Sequence, residues 1–154
     1  MCATKFTMIL LVFLAFASYS NALKASNDFV VIANPHSGID RMSKDEVINV
    51  YMGRNRKLAS GINAQPIDLE NPLTEKANFY NVMVSKELSE ISSYWARLMF
   101  SGQGSPPKQV ASTEQAIELV SSIKGAIAYV DRKKIDRRVK IVFDPLKSSA
   151  NLRN

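Results

Sequence analysis

Apolar and polar residues follow one another along this chain in two rhythms. Phe29-Val30-Val31-Ile32-Ala33 is a continuous β-branched run of strand length and predicts a buried strand. Asn34-Pro35-His36-Ser37-Gly38 breaks it as a loop. Val47, Ile48, Val50 and Tyr51 then fall at helical spacing. Ser43-Lys44-Asp45-Glu46 forms a capping box at the start of that helix, and Gly53 supplies a left-handed stop. Pro66-Ile67-Asp68-Leu69 predicts a second strand. Asn71-Pro72 reads as a cap followed by a first-turn proline. The helix it opens carries Leu73, Ala77, Tyr80, Val82 and Val84 at apolar positions. The next helix, Leu88 to Phe100, carries Ile91, Tyr94, Trp95, Leu98 and Met99.

Ser101 to Pro107 is a flexible turn followed by a stiff one. Ser112-Thr113-Glu114-Gln115 is a second capping box, ahead of Ala116, Ile117, Leu119, Val120 and Ile123, and Gly125 closes that helix. Ala126 to Val130 predicts a buried strand and Asp131 to Asp136 a polar turn. Val139 to Phe143 alternates as an outer or edge strand that Pro145 ends. The order β-α-β-α-α-α-β-β predicts an α/β fold, a small mixed sheet with helices on its faces. No internal repeat or long linker divides it.

The 154 residues suffice for one domain, and the first 22 are not part of it. A charged start, the apolar run Phe6 to Ala17 and the small residues Ser20 and Ala22 have the form of a signal peptide cut near Ala22. The expected organisation is therefore a leader over 1–22, the α/β domain over 23–145 and a loose tail over 146–154. Cys2 precedes the apolar run and falls in the leader, so no lipid anchor and no disulfide is expected. The formal charge of +6 becomes +5 without Lys5. Such a mild excess suits a small anion or an anionic surface.

The chemistry of catalysis is missing. His36 is the only histidine, and no metal-ligand spacing, nucleophile motif or phosphate loop is present. No cofactor, metal or enzymatic activity is expected. Arg54, Arg56 and Lys57 follow a helix end, where the dipole favours cations, so they need no anion to explain them. The densest basic run, Arg132-Lys133-Lys134 with Arg137, Arg138 and Lys140, reads as a charged hairpin protecting a sheet edge, or as a contact to an anionic lipid, glycan or protein face. Nucleic acid is disfavoured by the secretory leader. Trp95 lies on an apolar helix stripe and reads as core rather than as a ligand platform.

Several segments share an order with a known family. Tyr51-Met52-Gly53, then Gly61, then Pro66-Ile67-Asp68, then Phe100-Ser101-Gly102 and Gly125-Ala126-Ile127-Ala128-Tyr129-Val130 resemble the periplasmic phosphate-binding proteins of ABC uptake systems. The resemblance covers residues 28 to 143. It implies one lobe of the type 2 periplasmic-binding fold, periplasmic or secreted, binding phosphate or a similar small anion without catalysis, with an ABC permease or another envelope protein as partner. The ligand would be held by Asn34, Ser37 and Gly38, in the loop after the first strand, and by Leu73 and Thr74 at a helix start. The chain departs from the family where the anion grip belongs. Leu69 stands at the place of the family's arginine, the Ser-Gly-Thr is absent, Pro72 offers no amide, and Glu70 adds a negative charge. The other reading of the same fold is a ligand-free interaction or sensory module, with a dimer restoring the two-lobed shape.

Overall fold

The structure is a computed structural model that describes residues 28–150. The predicted leader lies outside the described residues. The elements run β1 (Phe29–Ala33), α1 (Lys44–Tyr51), β2 (Gln65–Leu69), α2 (Leu73–Val84), α3 (Leu88–Phe100), β3 (Lys108–Val110), α4 (Thr113–Ser122), β4 (Ala126–Asp131), β5 (Lys140–Phe143) and α5 (Pro145–Ala150). The five strands form one mixed sheet in the order β3-β2-β4-β1-β5. This is the expected α/β class.

The buried runs become the centre of the sheet. Every side chain of β1, and of β4 as far as Val130, is buried, so both sheet faces are covered. On one face Phe79 of α2 stacks on Tyr129 of β4 at 4.1 Å and meets Tyr51, Tyr80 and Phe29 at 4.7, 5.2 and 5.4 Å. One aromatic side chain thus joins β1, α1, α2 and β4. Each such ring pair contributes about 0.5–1.5 kcal/mol beyond its buried area.

The first capping box forms in full. Ser43 Oγ accepts from the Glu46 amide at 3.2 Å, and Glu46 accepts from the Ser43 amide at 2.7 Å. The second forms by half. Ser112 Oγ accepts from the Gln115 amide, but Gln115 Oε1 takes the amide of Ala111, one residue earlier. That helix also stops sooner than expected, at Ser122 rather than against Gly125.

Four expectations are corrected. A short strand, β3, follows the Pro106-Pro107 turn and pairs in parallel with β2. β4 and β5 are not a hairpin, because β1 lies between them and pairs antiparallel with both. β4 and β5 therefore run parallel, and the basic run between them returns from the Phe29 end of β1 to its Ala33 end, although β5 is an edge strand as anticipated. Pro72, not Asn71, is the N-cap of α2, and no side chain caps it. The tail expected to be loose begins as α5. There Asp144 Oδ1 accepts from the Leu146 amide at 3.1 Å, and Pro145 starts a helix rather than merely ending a strand.

Candidate functional site

The register decides whether the expected anion site assembles. β4 pairs antiparallel with β1, Ala33 opposite Ile127, and parallel with β2, Gln65 opposite Ala126. The end of β1 therefore lies beside the start of β2. The loop Asn34 to Gly38 and the helix start at Leu73 and Thr74 leave opposite ends of the sheet, separated by a strand length of roughly 15 Å. The structure brings Asn34, Ser37 and Gly38 together and does not bring them to Leu73 and Thr74. Placing a ligand after β1 presumes a parallel first strand, and this one is antiparallel.

Individually, the loop residues are built into the fold and the helix-start residues are exposed. Asn34 is 3% exposed and donates both amide hydrogens, to the Val120 and Ser121 carbonyls at 2.8 Å each, while its oxygen accepts from the His36 amide. It caps the carbonyl end of α4. Ser37 is fully buried; its amide donates to the Asn34 carbonyl and its hydroxyl has no protein partner. Gly38 has φ +72°, and a Cβ there would stand 2.9 Å from the Ser60 Cβ. Leu73 is 60% exposed, and Thr74 is exposed.

The start of α2 is electrostatically filled. Glu75 accepts from the Thr113 hydroxyl at 3.4 Å and from Lys134 at 3.1 Å. A carboxylate of the chain itself thus sits where α2 and α4 begin. Leu69, in place of the family's arginine, is fully buried. Its amide donates to the Tyr129 hydroxyl, which in turn donates to Asp68. Asp68 also accepts from Tyr80 at 3.3 Å and pairs with Lys76 at 2.8 Å. Burial, and then the Asp68 charge, push the hydroxyls of Tyr80 and Tyr129 far above the ordinary tyrosine range. These groups are mutually satisfied and hold the core, with no free acid or base among them.

Most of the basic run is paired as well. Arg132 holds Asp144 through two bonds of 2.9 and 2.6 Å, Arg138 holds Asp136 and Glu114 at 2.7 Å, and Lys140 reaches Asp40 at 3.0 Å. Hydrogen bonds that the Arg138 guanidinium donates to Asp136 and then to Glu114 hold it above its usual pKa.

Unpaired positive charge collects elsewhere. A cleft of about 630 Å³ opens between the end of α1, the start of β2 and the turn before β3. Val50, Tyr51, Trp95, Pro66, Pro106 and Pro107 supply its apolar lining. Arg56 and Lys108 supply charge, Asn55, Asn63, Gln65 and Ser105 supply neutral polar groups, and no Asp or Glu lines it. Neither Arg56 nor Lys108 meets a carboxylate among the described residues. Another cleft, beside β5, mixes Arg41, Lys44 and Lys147 with Asp40 and Asp144.

Local sequence builds the first cleft. Gly53 takes φ +68°, and a Cβ there would stand 2.8 Å from Trp95 Cη2. The glycine lets the turn after α1 lie directly on the indole. The Asn49 carbonyl accepts from the amides of Arg54 and Asn55, at 2.8 and 3.0 Å. The Tyr94 hydroxyl donates to the Met52 carbonyl at 2.7 Å. Arg56 Nη2 donates to the Gln103 carbonyl at 3.2 Å, joining the two turns that flank the cleft. Trp95 is core, as its helix stripe implies, yet it also lines this cleft, and its buried Nε1 has no partner. Reading Arg56 as a helix-end cation alone overlooks the cleft, which exists only once the turn before β3 folds against the turn after α1. Among the described residues, no three His, Cys, Asp or Glu side chains converge to hold a metal ion.

The mixed five-stranded sheet, covered on both faces, gives this chain an α/β fold that part of two solved structures shares. The chain is similar in structure to an ABC-type phosphate transport receptor from Vibrio cholerae, with TM-score 0.59 and 14% identity over 75% of this chain and 45% of that one. It is similar to the same degree, TM-score 0.59 and 12% identity, to a protein described as a phosphate ABC transporter substrate-binding protein with bound phosphate, from Clostridium perfringens. That match covers 75% of this chain and 44% of the other. The chain thus spans less than half the length of these structures, as a single lobe would. No family model matches the chain, and no curated protein matches it in sequence.

Proposed function

We propose that the chain is a non-catalytic anion-binding protein of the cell envelope, related in fold to phosphate receptors, whose ligand sits in the cleft beside Arg56 and Lys108. The observation that carries this reading is the charge of that cleft. It has two cations and no carboxylate, whereas the start of α2 holds Glu75 and is flanked by Glu70. Guanidinium and ammonium groups are the side-chain cations that recognise phosphate and carboxylate groups. In this proposal Asn34, Ser37, Gly38, Leu73 and Thr74 are not the ligand contacts. Calorimetric titration with phosphate, sulfate and small carboxylates tests it. Saturable heat that weakens in Lys108→Gln supports the reading, and no heat from any of them at millimolar concentration overturns it.

A second reading, an envelope interaction module, draws on Phe100, which ends α3 with 97% of its surface exposed, beside the half-exposed Met99. Light scattering separates the two. A dimer that dissociates in Phe100→Ser supports the module, and a monomer with saturable ligand heat counts against it.

A further inference from the structure

We infer that the Arg56–Lys108 cleft takes an organic anion with a ring body, not a bare inorganic ion. This rests on the reading that the cleft binds anions, and it names the class. Two observations carry it. The first is size: about 630 Å³ is the volume of a site for a small organic molecule, for which roughly 300–1,000 Å³ is usual. The second is the division of the lining. The charge sits on Arg56 and Lys108, while the half-buried Pro66 and Pro106 give a separate apolar surface, backed by the buried Pro107 and Trp95.

An inorganic phosphate site needs donors converging on one point, from backbone amides at a helix start or a free guanidinium fork. Neither is present here. No helix begins at this cleft, and Arg56 already donates Nη2 to Gln103. A bare ion held by the remaining donors would lie against proline and indole surface and gain nothing from it. A ring joined to a phosphate or carboxylate uses both halves: the anionic group meets Arg56 and Lys108, and the ring covers the apolar lining. The neutral polar groups of Asn55, Asn63, Gln65 and Ser105 suit hydroxyls on that ring.

The chain has a single tryptophan, Trp95, which lines the cleft, so its emission reports on the wall of this site. The purified protein is titrated with phenyl phosphate, glucose 6-phosphate, inorganic phosphate and phenol. The expected result is a saturable change in Trp95 emission, with at least one ring-bearing phosphate binding about tenfold tighter than inorganic phosphate and phenol without effect. Lys108→Gln, at an exposed position, weakens that binding several-fold with the melting temperature unchanged. Equal affinity for inorganic and ring-bearing phosphates overturns the class while leaving the anion reading intact. Binding of phenol as tightly as phenyl phosphate, or no response to any anion, overturns both.

Discussion

The Asn34 side-chain nitrogen stands 2.8 Å from the Val120 carbonyl oxygen, and through this contact the end of β1 caps the last turn of α4. A second bond of equal length reaches Ser121. Asn34→Ala would leave two helix-end carbonyls without a partner in a buried place. It is expected to lower unfolding stability by about 2–3 kcal/mol and to leave anion affinity unchanged in the protein that remains folded. Denaturant unfolding and calorimetry on the same preparation check both halves. A stable variant that loses anion binding would restore Asn34 to the ligand site.

Tyr51, Tyr80 and Tyr129 keep their protons in the folded chain well above the ordinary tyrosine range, chiefly through burial and next through Asp68. In the unfolded chain they ionise near pH 10. The folded state then binds more protons, so their contribution is complete below about pH 10 and lost as pH rises above it. Each tyrosine lowers stability by up to about 1.4 kcal/mol per pH unit in that range. Guanidinium unfolding across this range is expected to show the decline, and Tyr80→Phe should remove about a third of it. A flat profile above pH 10 would contradict the burial described.

Asp144 lies on the acid side. Hydrogen bonds from Arg132 hold its carboxyl below the usual range, so its contribution is present at neutral pH and is lost as pH falls below about 4. Asp144→Asn is expected to cost about 1 kcal/mol at pH 7, a modest figure because Arg132 is partly exposed. It should also speed amide exchange in Leu146, whose amide bonds to the Asp144 side chain. Unchanged exchange there would show that α5 does not depend on this cap.

Gly125 has no left-handed φ, so its need for glycine is one of space. A Cβ there would run into the Asn63 carbonyl oxygen and stand 3.2 Å from Ile62 Cγ2. Gly125→Ala is expected to destabilise by about 1–3 kcal/mol by forcing the start of β4 away from the 62–64 segment. Thermal melting measures it, and a neutral result would mean that the 62–64 segment gives way freely.

Much of the scaffold is legible in the residues. The Ser43 capping box, the apolar runs of β1 and β4 and the stripe of α3 each predict the element that forms. β3 escapes because Lys108 and Gln109 are polar and exposed, leaving Val110 alone to signal a strand. α5 is missed because proline is read as a terminator, although Asp144-Pro145 is also a helix start. The strand order is the larger loss. Nothing local to Phe29–Ala33 says that it runs antiparallel between β4 and β5, and that one fact places the two halves of the expected anion site at opposite ends of the sheet. The cleft is illegible for the same reason, since Arg56 and Lys108 come to line one cleft only through the tertiary fold.

The proposed function requires that anions bind at the Arg56–Lys108 cleft and not at the start of α2. Backbone amide shifts mapped during a titration with phenyl phosphate test this. Saturable shifts clustered at residues 53–57 and 102–108, abolished together in Arg56→Gln/Lys108→Gln, are expected. Shifts concentrated at residues 73–76 or 34–38, or surviving that double substitution, would contradict it.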